Sequence, residues 1–209
     1  MGLFFRNIQI LTFFTFVSPS PPISKLPTMK IFESFHTFNY NWQHVSAANW
    51  SKYPNDTCKH VVAVDILDRY IDPETGVLVT ERLITCRQSV PKWIIKMVGG
   101  TEDSYVREVS QVDPRNQTLC MRSVNLTLSN ILSIQETVKY CPNPVSPATQ
   151  TLFQQDARIT AYGALTRICT AIEDWSIERF KQNASKGREG LETILQKKLS
   201  RDLLRREQS

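Results

Sequence analysis

The stretch Glu173-Asp174-Trp175-Ser176-Ile177-Glu178-Arg179-Phe180-Lys181-Gln182-Asn183-Ala184-Ser185-Lys186-Gly187-Arg188-Glu189-Gly190 lies in a proline-free run from about Leu165 to the last residue. Apolar or small residues recur at Leu165, Ile168, Cys169, Ile172, Ser176, Phe180, Ala184, Gly187, Leu191, Ile194 and Leu195. Steps of three and four keep them on one face, so the spacing predicts a long amphipathic α-helix. Trp175, Arg179, Asn183 and Lys186 fall beside that face as a second stripe. Such a helix either shows solvent a basic flank or lines an apolar cavity and holds an anion at its mouth. The helix alone leaves both readings open.

Ahead of it, β-branched and aromatic segments alternate with turn signals. Strands are expected at Ile31–Phe38, His60–Asp68, Val77–Arg87, Tyr105–Val112, Thr118–Leu128, Leu132–Tyr140 and Thr151–Tyr162, with a short helix over Trp42–Trp50. Lys52-Tyr53-Pro54-Asn55, Asp72-Pro73-Glu74-Thr75-Gly76 and Asp113-Pro114-Arg115-Asn116 read as turns, and Pro142–Pro147 as a link. Successive strands ending in one long helix predict an α+β fold. In it a curved antiparallel sheet of about seven strands wraps around the C-terminal helix and encloses an elongated pocket.

Two details bear on that pocket. In the expected hairpin, Cys120, Val124, Leu126 and Leu128 share a face with Arg122, and Leu132, Ile134, Val138 and Tyr140 share one with Glu136. A turn at Ser129-Asn130-Ile131 would place Val124 opposite Glu136 and Arg122 diagonally from it, within reach of long side chains. Inward charges must be paired or reach a wet cavity, because burying them alone is costly. The segment Val90–Ser104 carries Pro91, then Trp93, Ile94, Ile95, Met97 and Val98, then Gly99-Gly100. It reads either as a hinged lid or as an ordinary connector.

Composition sets the remaining bounds. The 209 residues suffice for one domain with a real core, and 41% hydrophobic with 22% charged residues is ordinary for a globular chain. A net charge of +5 favours an acidic partner. No Lys/Arg run is interleaved with aromatics as a nucleic-acid groove requires, so nucleic acid is not expected. The five cysteines (Cys58, Cys86, Cys120, Cys141, Cys169) are odd in number and widely spaced, which argues against a disulfide framework or a zinc site. None of the three histidines (His36, His44, His60) sits in a metal or nucleophile motif, and phosphate- and dinucleotide-loop signatures are absent. The reading is therefore of a protein without catalytic residues, cofactor or metal. Residues 1–28 differ from the rest: Leu3–Val17 resembles the apolar core of a signal peptide, and Ser18–Pro27 contains four prolines. They are expected to be a disordered extension or a gene-model artefact ahead of Met29. The folded domain is then expected over 29–195, with 196–209 as the charged end of the helix.

A family resemblance rests on an ordered set of motifs. Met29-Lys30-Ile31-Phe32, Lys52-Tyr53-Pro54-Asn55, Val79-Thr80-Glu81-Arg82-Leu83, Val90-Pro91-Lys92-Trp93 and Val106-Arg107-Glu108-Val109-Ser110 resemble successive motifs of the PRELI family. So do Met121-Arg122-Ser123-Val124-Asn125-Leu126, Leu152-Phe153-Gln154-Gln155-Asp156 and Glu173-Asp174-Trp175-Ser176. The set runs from about Met29 to Leu195 and looks most like the Slowmo branch with its fungal Ups-type members. The resemblance implies a START- and phosphatidylinositol-transfer-like fold with a lid at Val90–Ser104. It further implies a phospholipid-transfer protein of the mitochondrial intermembrane space, in complex with a small helical twin-cysteine-motif partner and in transient contact with anionic membranes. Headgroup-binding positions carry over to Lys52, His60, Arg179, Asn183 and Lys186. A lysine used by the phosphatidic-acid branch aligns with Cys86, which points to a larger headgroup such as phosphatidylserine. A phosphatidic-acid carrier and a secreted lipid-binding protein are the alternatives, the latter drawing on N-x-S/T sequons at Asn49, Asn55, Asn116, Asn125 and Asn183.

Overall fold

The computed structural model describes residues 29–87, 103–163 and 166–207. The expected N-terminal extension and the lid residues Trp93, Ile94, Ile95, Met97, Gly99 and Gly100 lie outside the described residues. The elements run β1 (Met29–Phe38), α1 (Trp42–Asn49), β2 (Val61–Ile71), β3 (Leu78–Arg87), β4 (Asp103–Asp113), β5 (Thr118–Asn125), β6 (Leu132–Pro142), β7 (Thr151–Ala161) and α2 (Thr166–Glu207). The strands form one curved antiparallel sheet in the order β1-β7-β6-β5-β4-β3-β2, with the long helix after it.

The turns form where side chains can replace water on the backbone. Asp72 Oδ1 accepts from the amides of Glu74 and Thr75, and Gly76 takes the left-handed conformation (φ +73°) that closes this turn. Asp113 Oδ1 does the same for Arg115 and Asn116. Asn41 caps α1, its Oδ1 accepting from the His44 amide at 2.9 Å.

The β5–β6 pairing differs from the expected one. Ser123 pairs with Glu136 and Val124 with Gln135, one residue away from the expected register. The inward residues of β5 are Leu119, Met121 and Ser123, while Arg122 is exposed and donates to Gln111 Oε1 at 3.2 Å. The turn is longer than three residues because Asn125 ends the strand. Its Nδ2 donates to the carbonyls of Thr127 and Leu132, and its Oδ1 accepts from the Ile134 amide. A slip of one residue exchanges the two faces of a strand, so Arg122 faces away from Glu136.

Two apolar clusters hold α2 on the sheet. At one end Leu191 and Leu195 pack with Phe38, Trp42, Val45, Leu119, Tyr140 and Phe153. At the other Cys169 and Ile172 pack with Leu132, Ile159 and Ala161. There the fully buried Glu173 carboxylate accepts the Ala161 amide at 2.9 Å and ties the helix to the end of β7. Between the clusters, helix and sheet do not close on each other.

The loop after α1 crosses α2 at two glycines. A Cβ at Gly187 would stand 3.2 Å from Lys52 Nζ, and one at Gly190 would stand 3.0 Å from Asn55 Nδ2 and 3.1 Å from its Oδ1. Asn55 cannot step aside cheaply, because Nδ2 donates to the Lys52 carbonyl and Oδ1 accepts the Cys58 amide. Glycine in a helix interior ordinarily costs roughly 0.5–1 kcal/mol relative to alanine. Gly190→Ala is nevertheless expected to lower stability, by about 1 kcal/mol. Urea unfolding checks this: a higher midpoint for the variant would show that the loop yields without loss.

Candidate functional site

Between the two clusters lies a cavity of about 300 Å³, at the lower end of the range for ligand pockets. The sheet supplies its floor from β3 to β7, α2 its roof, and the loop carrying Lys52, Tyr53 and His60 one wall. Apolar lining includes Ile131, Leu132 and Ile134 from the sheet side and Ile172, Trp175 and Phe180 from α2. Polar lining comes from Lys52, His60, Arg179, Asn183 and Arg188 on the loop and helix, and from Glu108, Ser123, Glu136 and Gln155 on the strands.

Of the five headgroup positions expected from the sequence, Lys52, His60, Arg179 and Asn183 line the cavity. Lys186 does not; it is exposed on α2. Its charge still reaches the site. His60 is held below the usual imidazole range first by burial and then by Lys186, Lys52 and Arg179. Burial and the shared positive field of Lys186, Lys52 and Arg179 thus both disfavour the protonated imidazole. Lys52 lies over the Tyr53 ring at 5.2 Å, and the Arg179 guanidinium is 6.0 Å from the Trp175 ring. The Lys186 carbonyl accepts from the Cys58 thiol at 3.5 Å, which fixes the loop to the helix beside the site.

Sequence reasoning missed three features in or beside the cavity. Arg188 lines it and donates to Ser34 Oγ of β1 at 2.9 Å. Its position, four residues after Ala184, already placed it near the inward face. Arg82 and Glu108 form a buried ion pair under the loop, Nε donating to Oε1 at 3.0 Å, with the guanidinium 5.2 Å from the Trp50 ring. Cross-strand pairing puts Arg82 of β3 directly opposite Glu108 of β4, a relation invisible until the register is known. Gln155 donates to Glu136 Oε1, and Ser123 Oγ donates to Glu136 Oε2 at 2.9 Å. Burial raises the Glu136 carboxyl above the usual carboxylate range, and the bonds from Gln155 and Ser123 and the charge of Lys52 only partly offset it. Gln155 Oε1 and Ser176 Oγ, buried atoms of two cavity-lining residues, have no hydrogen-bond partner among the described residues.

All five cysteines are free thiols; Cys86 lines the cavity, and burial pushes its pKa up to about 11. Among the described residues, no cluster of three or more His, Cys, Asp or Glu side chains is arranged to hold a metal ion. No described helix is long and apolar enough to cross a membrane.

Among solved structures, that titled "Crystal structure of Ara h 8.0201" superposes with a TM-score of 0.51 at 15% identity, covering 81% of this chain and 99% of the other; this is a likeness of fold. Among sequences, the chain is 54% identical over 168 residues to "Protein UPS2, mitochondrial" of Saccharomyces cerevisiae, covering 80% of this chain and 73% of that protein. It is 34% identical over 168 residues to "Protein slowmo homolog" of Dictyostelium discoideum, covering 80% and 72%. The PRELI-like family model matches residues 43–202, from the short helix α1 through most of α2, and the chain belongs to that family.

Proposed function

We propose that the protein is a non-enzymatic phospholipid carrier of the mitochondrial intermembrane space, moving phosphatidylserine from the outer to the inner membrane. The observation that carries this reading is one cavity lined both by apolar side chains and by Lys52, His60 and Arg179. An amphipathic lipid needs both: acyl chains against Ile134, Ile172 and Phe180, and a phosphate beside the cations. Arg179 offers the phosphate a planar fork, Lys52 a point charge and Asn183 a neutral donor. Lys186 at the rim adds to the field that draws the headgroup in. The mitochondrial setting is supported by the name of the yeast relative. A small helical twin-cysteine-motif protein is the proposed partner, and the basic chain meets anionic membrane surfaces transiently.

Cys86 favours phosphatidylserine over phosphatidic acid, since a neutral thiol stands where the phosphatidic-acid branch has a lysine. Purified protein is expected to hold one phospholipid in native mass spectrometry and to move phosphatidylserine between vesicles faster than phosphatidic acid. Faster transfer of phosphatidic acid would overturn the headgroup assignment, and an empty protein with no transfer would overturn the carrier. As a second readout, the His60 imidazole should titrate below the usual range in the empty protein. It should titrate higher with lipid bound, because a phosphate beside it stabilises the protonated form.

A further inference from the structure

The cavity lining also carries charge of the opposite sign. Glu136 projects from β6 between Ser123 of β5 and Gln155 of β7, and these two neighbours use only part of its acceptor capacity. Among the described residues no Lys, Arg or His forms a salt bridge with it, whereas the neighbouring carboxylate, Glu108, is held by Arg82. Gln155 Oε1 is a second buried acceptor without a donor. The strands thus present a carboxyl group with spare lone pairs, whose ionised form burial disfavours and a positive charge beside it would restore. Leaving such groups buried and unanswered is costly.

A primary ammonium meets that need, with one charge and three donors in a compact head. Lys52 lies near enough for its charge to act on Glu136, and it belongs to the same field as His60 and Arg179. An anion-seeking wall therefore stands beside a cation-seeking floor, an arrangement fitted to a headgroup carrying both signs. We infer that Glu136, held in place by Gln155 and Ser123, binds the ammonium of an aminophospholipid headgroup while Lys52, His60 and Arg179 take its phosphate, so that Glu136 selects the headgroup. This rests on reading the cavity as a phospholipid site. Phosphatidic acid has no ammonium with which to answer the Glu136 carboxyl group. That makes Glu136 a specificity determinant independent of Cys86.

The test is vesicle-to-vesicle transfer of phosphatidylserine, N-acetylated phosphatidylserine and phosphatidic acid by the full chain and by its Glu136→Gln variant. Loss of one charge-assisted hydrogen bond corresponds to about ten- to a hundredfold. The unmodified protein is therefore expected to prefer phosphatidylserine over its N-acetylated form by at least about tenfold, and Glu136→Gln to reduce that preference below about threefold. An unaltered preference in the variant, or an equal slowing of all three lipids, overturns the inference. Circular dichroism melting shows whether the variant folds. If it does not, the unmodified protein decides alone, since equal rates for the free and acetylated amine also overturn the inference. Failure of the unmodified protein to move any of the three removes the carrier reading itself.

Discussion

Lys52→Met is expected to slow phosphatidylserine transfer by about ten- to a hundredfold while shifting the melting temperature by only a few degrees. The side chain is half-buried, lines the cavity and rests on α2, where the absence of a Cβ at Gly187 leaves room for Nζ. Methionine keeps the length and apolar stem and removes only the charge. What is lost is one cation beside the phosphate and, on the same site, the charge that favours ionised Glu136. Stability changes little because the backbone role of this residue, its carbonyl accepting from Asn55, is untouched. Lys30→Met is the comparison: Lys30 pairs with Asp174 at 3.0 Å on the surface, where such pairs contribute little, and neither transfer nor melting should move appreciably. Equal transfer by Lys52→Met and the unmodified protein would remove Lys52 from the site.

Arg82→Met acts on the fold instead. It is expected to cost about 3–5 kcal/mol, because Glu108 is left charged and buried without its partner. Against a total stability of roughly 5–15 kcal/mol this is a large loss, a fall in melting temperature on the order of 10 °C. Adding Glu108→Gln should recover most of it, because the amide carries no charge to leave unpaired. A single variant that melts within a degree or two of the unmodified protein would show that the pair contributes little.

These two lysine and arginine positions differ in how far the sequence disclosed them. Lys52 was found through a motif, Lys52-Tyr53-Pro54-Asn55, whose turn chemistry placed it on a loop but whose contact with the helix was invisible. Arg82 stood in a quoted motif with no role assigned to it, since its partner is 26 residues away and becomes a neighbour only through the β3–β4 register. The β5 face shows why alternation misleads beside a cavity. Its inward residues are Leu119, Met121 and Ser123, and the strand ends at Asn125, whereas Cys120 and Leu126 look more apolar and lie on the other face or beyond the strand end. Hydrophobic pattern identifies the face toward a dry core, and here the inward face has to satisfy polar groups in a cavity.

Sequence alone determined the element order, the antiparallel class and the inward face of the long helix. Those follow from local rules: helical spacing of apolar residues, β-branched runs and turn-forming side chains, each readable within a few residues. It also placed Glu136 on the inner face of β6, because that strand alternates cleanly. Only the tertiary structure decided that the helix stripe of Arg179 and Asn183 lines a cavity rather than facing solvent. The same holds for Lys186 staying at the rim and for Glu136 standing beside Gln155 and Lys52. Those relations depend on strand register and on the crossing of a loop over Gly187 and Gly190, contacts between residues far apart in the chain whose geometry no local rule encodes.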